Sequence, residues 1–331
     1  MQTTALGRTG PTVSRIGLGC MGMSGMYGPA DRAESIATIH AALDAGVTLI
    51  DTGDFYGMGH NEMLIGEALK GVRRESYQLS VKFGALRGPD GAWIGFDSRP
   101  KSIRTFLAYS LQRLGVDYID VYRPSRLDPV VPIEETMGTL ADLVKEGWIR
   151  HVGLSEIGVE TLRRAAAVHP VSDLQIEYSL LSRGIEDAIL PAARELGVAI
   201  TAYGVLSRGL ISGHFSKDAP AAGDMRRMTP RFSGDNLDAN LQLVEALQAI
   251  ASTRSASVAQ VAIAWVMAQG QDIVPVVGSR RRDQLAEALG SLALTLSAED
   301  LAAIERTVPK GAAAGARYAP ALMATLDSEA R

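Results

Sequence analysis

The sequence predicts an α/β fold of the closed (β/α)8 kind, a TIM barrel preceded by a short hairpin, and three observations carry the prediction. One unit recurs along the chain: apolar residues at three- and four-residue spacing, a glycine at the helix C-cap position, then a short apolar strand. The strands, such as VTLID and VAITAY, lack polar alternation, as parallel strands covered on both faces do. About eight such runs follow in one continuous stretch, which favours a closed barrel over an open doubly wound sheet. Residues 1–331 are accordingly read as a single domain, with the segment from about 308 onward as a lid or mobile tail.

Taken in order, TALGRTGPTVS between polar punctuators reads as a hairpin over residues 1–15, leading into the strand IGLGC. Gly17, Gly19 and Gly22 formally satisfy G-x-G-x-x-G, but the dinucleotide version needs a helix to open at the third glycine, and here MSGMYGPAD intervenes. The first helix starts at Asp31, with Glu34 completing a capping box. Its face is Ile36, Ile39 and Leu43, and it ends at Gly46 before VTLID. Further helices run from Ser102 to Leu114, Glu134 to Glu146, Glu160 to Val168 and Ile185 to Leu196. They precede VDYIDVY, WIRHVGLS, DLQIEY and VAITAY, and the helix VAQVAIAWVMAQG precedes DIVPVVG. Three long segments lie on the face where strands end: GALRGPDGAWIGFDSRP, the stretch from SRGLISG to FSGDN, and the tail from Val308. Loops this long in such a fold serve binding or act as lids.

Composition narrows the function. With 47% hydrophobic residues, 21% charged and a formal net charge of -4 without runs of one sign, the chain offers no footprint for nucleic acid or an anionic membrane. No apolar run approaches the roughly 18 residues of a membrane helix, and the N-terminus lacks a signal pattern, so a cytoplasmic protein is expected. The single cysteine, Cys20, excludes an internal disulfide and a multi-thiolate site, and the five histidines form no close pair, so no metal is expected.

The chemistry gathers at two strand ends. LIDTGDFYG delivers Asp51 and Tyr56 to one, and SVKFG delivers Lys82 to the next. An ammonium beside a phenol favours phenolate and lowers its pKa from roughly 10, and a carboxylate can orient that ammonium. Such a tyrosine can protonate a carbonyl oxygen. Other polar candidates at strand ends are Ser125, Ser155, Glu156, Gln175, Glu177, Tyr203 and the GSRRR segment.

The segments GLGCMGMS, LIDTGDFYG with NEMLIGEAL, KFG, SLQRLGVDYIDVY, RLDP, IRHVGLSE, QIEYSLLSR, AYGVLSRGLISG and VPVVGSRRRDQL, in this order, resemble an aldo-keto reductase. The resemblance covers about residues 3 to 305 and is nearest to the bacterial and plant branch with GLGCMGMS and GLSE motifs. It implies reversible carbonyl reduction by a nicotinamide dinucleotide bound over the barrel mouth. Its catalytic group falls on Asp51, Tyr56 and Lys82. Its fourth position, normally histidine, falls on Ser125, because the chain reads DVYRPSRLDP where the family pattern resembles D-L-Y-Q-x-H-R-x-D-P. Serine has a shorter reach and one hydroxyl donor.

For the cofactor the resemblance implies Gly19, Cys20 and Met21 after the first strand, with Asp51 nearby. Ser155, Glu156 and Gln175 would lie near the carboxamide, and Glu156 stands where many relatives have asparagine. Tyr203 would stack on the nicotinamide, Gly204, Leu206, Ser207 and Arg208 would form the pyrophosphate loop, and Gly278, Ser279, Arg281, Gln284 and Glu287 would hold the adenosine end. Ala288 replaces an asparagine at the adenine. An arginine fork suits a 2′-phosphate, so NADPH is favoured over NADH. Met26, Tyr27, Tyr56, Trp93 and Arg123 are the candidates for contact with a small carbonyl substrate. The rival reading is an NADP(H)-binding regulatory protein, like the channel β subunits that resemble this family and lack the histidine. Monomer and homodimer both stay open.

Overall fold

A computed structural model gives the structure of residues 1–215 and 224–330. Residues 216–223 of the second long loop, and Arg331 of the tail, lie outside the described residues. Strands β1 (Thr3–Ala5) and β2 (Thr12–Ser14) pair antiparallel as the expected hairpin. Leu6 and Val13, both fully buried, pack on Leu49, Val121, Ala199, Val274 and Val276, so the hairpin stoppers the end at which the barrel strands begin.

The barrel follows: β3 (Gly17–Gly19), β4 (Leu49–Gly53) and β5 (Gln78–Phe83); then, beyond a two-stranded ribbon of β6 (Ala85–Arg87) and β7 (Trp93–Phe96), come β8 (Ile119–Pro124), β9 (Ile149–Ser155), β10 (Asp173–Glu177), β11 (Ala199–Tyr203) and β12 (Ile273–Gly278). All eight barrel strands are parallel, and β12 pairs back onto β3 to close the cylinder. This is the (β/α)8 barrel the sequence predicts. β4 and β10 are buried along their whole length, as strands walled by helices outside and side chains within must be.

The glycine rule places the helix ends. Gly147 and Gly197 take the left-handed φ values of 85° and 72° that stop the helices Ile133–Glu146 and Ile189–Leu196. Three expectations need correction. The first helix, Arg32–Asp44, buries Ser35, Thr38, Ile39 and Ala42, while Ile36 and Leu43 only flank the core. Small residues allow close approach, and the hydroxyls of Ser35 and Thr38 donate to the carbonyls of Asp31 and Glu34. The capping box there is half formed: Asp31 accepts from Glu34 N, but the Glu34 carboxylate turns to Arg282. The helix expected from Ile185 begins only at Ile189, after a separate turn at Gly184–Glu186. Pro191 explains the break, since its ring would clash with the carbonyl four residues earlier in a longer helix. The β11–β12 connection also holds a 20-residue helix, Gly234–Thr253, that sequence periodicity did not single out.

Candidate active site

Asp51 lies inside β4, level with Ser80, and Lys82 lies two residues further along β5. Because side chains alternate along a strand, Ser80 and Lys82 both face the barrel interior. Lys82 Nζ donates to Asp51 Oδ1 at 2.5 Å, and Asp51 Oδ2 accepts from Ser80 Oγ at 2.8 Å and Gln175 Nε2 at 2.7 Å. Burial pulls the Lys82 pKa below its ordinary range, against the Asp51 carboxylate, which supports the charged form.

Tyr56 leaves β4 on a turn whose next residues, Gly57 and Met58, have left-handed φ of 56° and 50°. The turn sets the ring 5.3 Å from Lys82 Nζ, with Phe55 against its edge and Trp93 against Phe55. Asn61 in the following helix ties this loop down: it accepts from Thr52 Oγ1 and donates to the Cys20 carbonyl and Ser24 Oγ. The expected lowering of the phenol pKa does not occur. Burial, and then the Asp51 charge, push it well above its ordinary range. The ammonium that was to lower it is already matched by Asp51.

Arg123, expected at the substrate, is fully buried below this group. Its guanidinium donates to Asp173 Oδ2 at 2.6 Å and to Ser80 Oγ at 2.9 Å, and Thr201 Oγ1 also donates to Asp173. One inward step on β8 therefore carries it into the barrel, away from the mouth. Ser125 stays at the strand end: its amide donates to the Phe83 carbonyl at 2.8 Å, and its buried Oγ has no partner.

The opposite wall is built around Glu156, which has a φ of 54° and is fully buried. Its Oε1 accepts from Tyr203 Oη, Arg317 Nη1 and the Glu177 amide, and its Oε2 accepts from Arg317 Nη2 and Ser328 Oγ. Burial alone would raise this carboxyl, but the Arg317 guanidinium holds it down at about 2. The tail is stitched on further: Ser328 N donates to the Glu156 carbonyl, and Gly158 N donates to Asp327 Oδ2. Arg208, expected on a pyrophosphate, instead donates to the Arg317 carbonyl at 2.8 Å, pairs with Glu177 and lies over the Tyr318 ring. Glu156 and Tyr203, expected at the nicotinamide, are likewise engaged with the tail. Nothing in the local sequence announces Arg317, Tyr318 or Ser328; Ser80 could have been found from its two-residue spacing to Lys82.

The remaining candidates scatter around the rim. Gly19 pairs with Gly278, and the Cys20 side chain turns into the core, where burial pushes its thiol up, so the thiol is not a ligand. Met21, Met26 and Tyr27 are half-buried, and burial pushes the Tyr27 phenol up to about 12. Trp93 is exposed and carries Arg87 over its ring. Gly204 packs on Glu177, where a Cβ would come within 3.0 Å of Cγ; Leu206 is half-buried, and Ser207 Oγ meets Ser179 Oγ at 3.2 Å. Gln284 accepts from Arg280 N, Glu287 meets His214, and Arg281 makes a surface pair with Asp283. The Oγ atoms of Ser155 and Ser279 are buried without partners, at the ends of β9 and β12. An unpaired buried hydroxyl costs about 1–3 kcal/mol. These two therefore fit a ligand rich in polar atoms, as a nicotinamide dinucleotide is. Among the described residues no cluster of metal-ligating side chains occurs, and no helix is long and apolar enough to cross a membrane.

Comparison with known proteins gives the family. Residues 15–308 match the model of the aldo/keto reductase family. The chain is 42% identical to probable aldo-keto reductase 1 of Glycine max over 321 residues, 96% of this chain and 92% of that protein. It is 40% identical to the aldo-keto reductase yakc [NADP(+)] of Schizosaccharomyces pombe over 314 residues, 93% of this chain and 92% of that one. Among solved structures, the glycerol dehydrogenase of Gluconobacter oxydans superposes with a TM-score of 0.83 at 30% identity, covering 92% of this chain and 94% of its own. A Bacillus halodurans aldo-keto reductase in its holo form gives 0.76 at 28% identity, covering 93% and 96%. The chain belongs to the aldo/keto reductase family and is an NAD(P)H-dependent oxidoreductase acting on carbonyls.

Proposed function

We propose that the chain reduces an aldehyde or ketone to the alcohol, reversibly, with NADPH as reductant and Tyr56 as proton donor. The observation that supports this most is the Asp51–Lys82 contact with the Tyr56 ring beside it at the mouth of the barrel. When bound, the dinucleotide would supply the hydride to the carbonyl carbon. The chain's own residues handle the oxygen. Tyr56 keeps its proton at neutral pH because burial resists the phenolate, so the hydroxyl can donate as negative charge develops on the carbonyl oxygen. Lys82, fixed by Asp51, places a positive charge where the phenolate forms. Ser80 and Gln175 hold Asp51 and so hold Lys82 through it. Ser125 Oγ, buried and unpartnered, is a second donor at the neighbouring strand end.

Ser155 and Ser279 would hold the dinucleotide, with Gly19, Gly204 and Leu206 along its path and Gln284 and Glu287 at its adenosine end. NADPH is favoured because, among the described residues, Arg281 pairs with an exposed Asp283 and can turn to a 2′-phosphate at little cost. The relative from Schizosaccharomyces pombe carries NADP(+) in its name.

The test is NADPH oxidation with a panel of aldehydes and ketones, wild type beside Tyr56→Phe. We expect wild-type turnover, a loss of about 100- to 10,000-fold in kcat for the variant, and NADPH binding kept in both. Undiminished reduction by Tyr56→Phe would remove the proposed acid.

A further inference from the structure

The residue after Ser125, Arg126, is a charge without an ion-pair partner among the described residues. Around the mouth, Asp51 is matched by Lys82, Glu156 by Arg317, and Glu177 by Arg208 with Arg231 and Arg317 close by. Arg126 has no carboxylate within ion-pair distance among the described residues. Its guanidinium donates from Nη1 to the carbonyl of its own neighbour Ser125, at 2.6 Å. Ser125 N in turn donates to the carbonyl of Phe83, the residue after Lys82. The half-buried guanidinium is thus tethered at the strand end beside the reacting group, and its charge is felt at Tyr56, Lys82 and Glu156.

Glu156 is the acid that could have neutralised it and does not. A carboxylate offers about four lone-pair sites, and the two Glu156 oxygens already accept from Tyr203, Glu177 N, Ser328 and both Nη atoms of Arg317. No acceptor capacity is left for Arg126. A half-buried guanidinium with most of its donors unmatched suits an oxyanion arriving from outside, and its planar fork suits carboxylate or phosphate geometry. The buried Ser125 hydroxyl next to it, also unpartnered, points to the same ligand.

We infer that Arg126 anchors an anionic group on the substrate, so that the preferred substrates are small aldehydes or ketones carrying a carboxylate or a phosphate a few bonds from the carbonyl. The inference rests on the reductase reading and names the substrate class for it. Arg126 is a binding residue here, and the proton still comes from Tyr56.

The experiment compares matched pairs: succinic semialdehyde against its methyl ester, and glyceraldehyde phosphate against glyceraldehyde. Each is run with wild type, Arg126→Gln and Arg126→Lys. We expect wild type to favour the anionic member of one pair, which tells carboxylate from phosphate. The anionic-to-neutral ratio of kcat/KM should fall about 10- to 100-fold in Arg126→Gln, mostly through KM, and partly recover in Arg126→Lys. A wild-type ratio near one overturns the inference. So does an unchanged ratio in Arg126→Gln, or an equal fall for both members, which would make Arg126 part of the chemistry. Binding of succinate and of inorganic phosphate, measured by isothermal titration, gives a readout without turnover. Binding to wild type that is lost in Arg126→Gln supports the anchor even if no aldehyde is reduced, in which case the reductase reading alone fails. Equal binding, or none to wild type, overturns it.

Discussion

The β4–β5 wall and the β9–tail wall of the mouth are each centred on a buried ion pair, and the two pairs differ in the hydrogen-bonding capacity they keep. Lys82 and Asp51 meet at 2.5 Å and Arg317 and Glu156 at 2.6 Å, all four side chains being at least nine-tenths buried. Lys82 has three donors and spends one of them on a described residue. Glu156 spends every acceptor site it has. On the first wall the Ser125 hydroxyl is also unmatched; on the second, Tyr203, Tyr318 and Ser328 all have partners around Glu156, and the unmatched hydroxyl there is that of Ser155 at the end of β9. The Lys82–Asp51 pair keeps hydrogen-bonding capacity that a ligand could use, whereas the Glu156–Arg317 pair, which anchors the tail, keeps none on its carboxylate.

The walls also differ in how they answer pH. Asp54, two residues before Tyr56, is pushed up to about 8 by burial and by the Glu62 charge, and its Oδ1 has no partner. Glu156 is held at about 2. One wall holds an acid that resists ionising, the other an acid that resists protonation.

Breaking each pair in turn tests the contrast. The largest effect is expected from Lys82→Met: about a 100- to 10,000-fold loss of kcat, because the charge that would steady the phenolate is gone. A variant with near-normal kcat would show that the unspent donors are idle. Arg317→Met comes next, with an effect mainly on stability. Removing one partner of a buried pair costs about 3–5 kcal/mol, read by chemical denaturation, and the tail should become open to protease while kcat falls far less than in Lys82→Met. An activity loss as deep as that of Lys82→Met would erase the distinction between the walls.

At Asp54 the expected effect is on the pH dependence of stability and the least on kcat. An acid whose folded pKa is raised gives stability that is complete below its unfolded value of about 3.9 and is lost as pH climbs through the folded value. That loss falls between about 4 and 8 here, and Asp54→Asn should flatten the denaturation midpoint across that window. Glu156 runs the other way: its contribution is complete above about 4.3 and is lost as pH falls toward 2. If Asp54→Asn keeps the wild-type slope, the acid is not where the pH response arises.

Much of the fold and the centre of the candidate site were legible in the residue order, and the reasons are local. Asp51 and Lys82 sit in apolar runs short enough to be strands, so their meeting follows from two neighbouring parallel strands. Gly147 and Gly197 mark helix ends because a left-handed residue stops a helix whatever surrounds it. Where local rules compete with packing the reading slipped: Ile36 and Leu43 yielded the core face to Ser35 and Ala42, and burial set the Tyr56 phenol against the expectation drawn from Lys82 alone.

The sequence by itself determined the succession of strands and helices, the closed barrel, and the placing of Asp51 and Lys82 on neighbouring strands with Tyr56 and Ser125 just past strand ends. Only the tertiary structure decided that Arg123 turns inward to Asp173, that Arg317 crosses 161 positions to reach Glu156, and that Arg126 has no acid within ion-pair distance among the described residues. Periodicity and capping act over a few residues and are written in the order of the chain. The pairing of buried charges depends on which side chains the closed barrel and its tail bring within about 3 Å, and on how many lone pairs are already taken when they arrive.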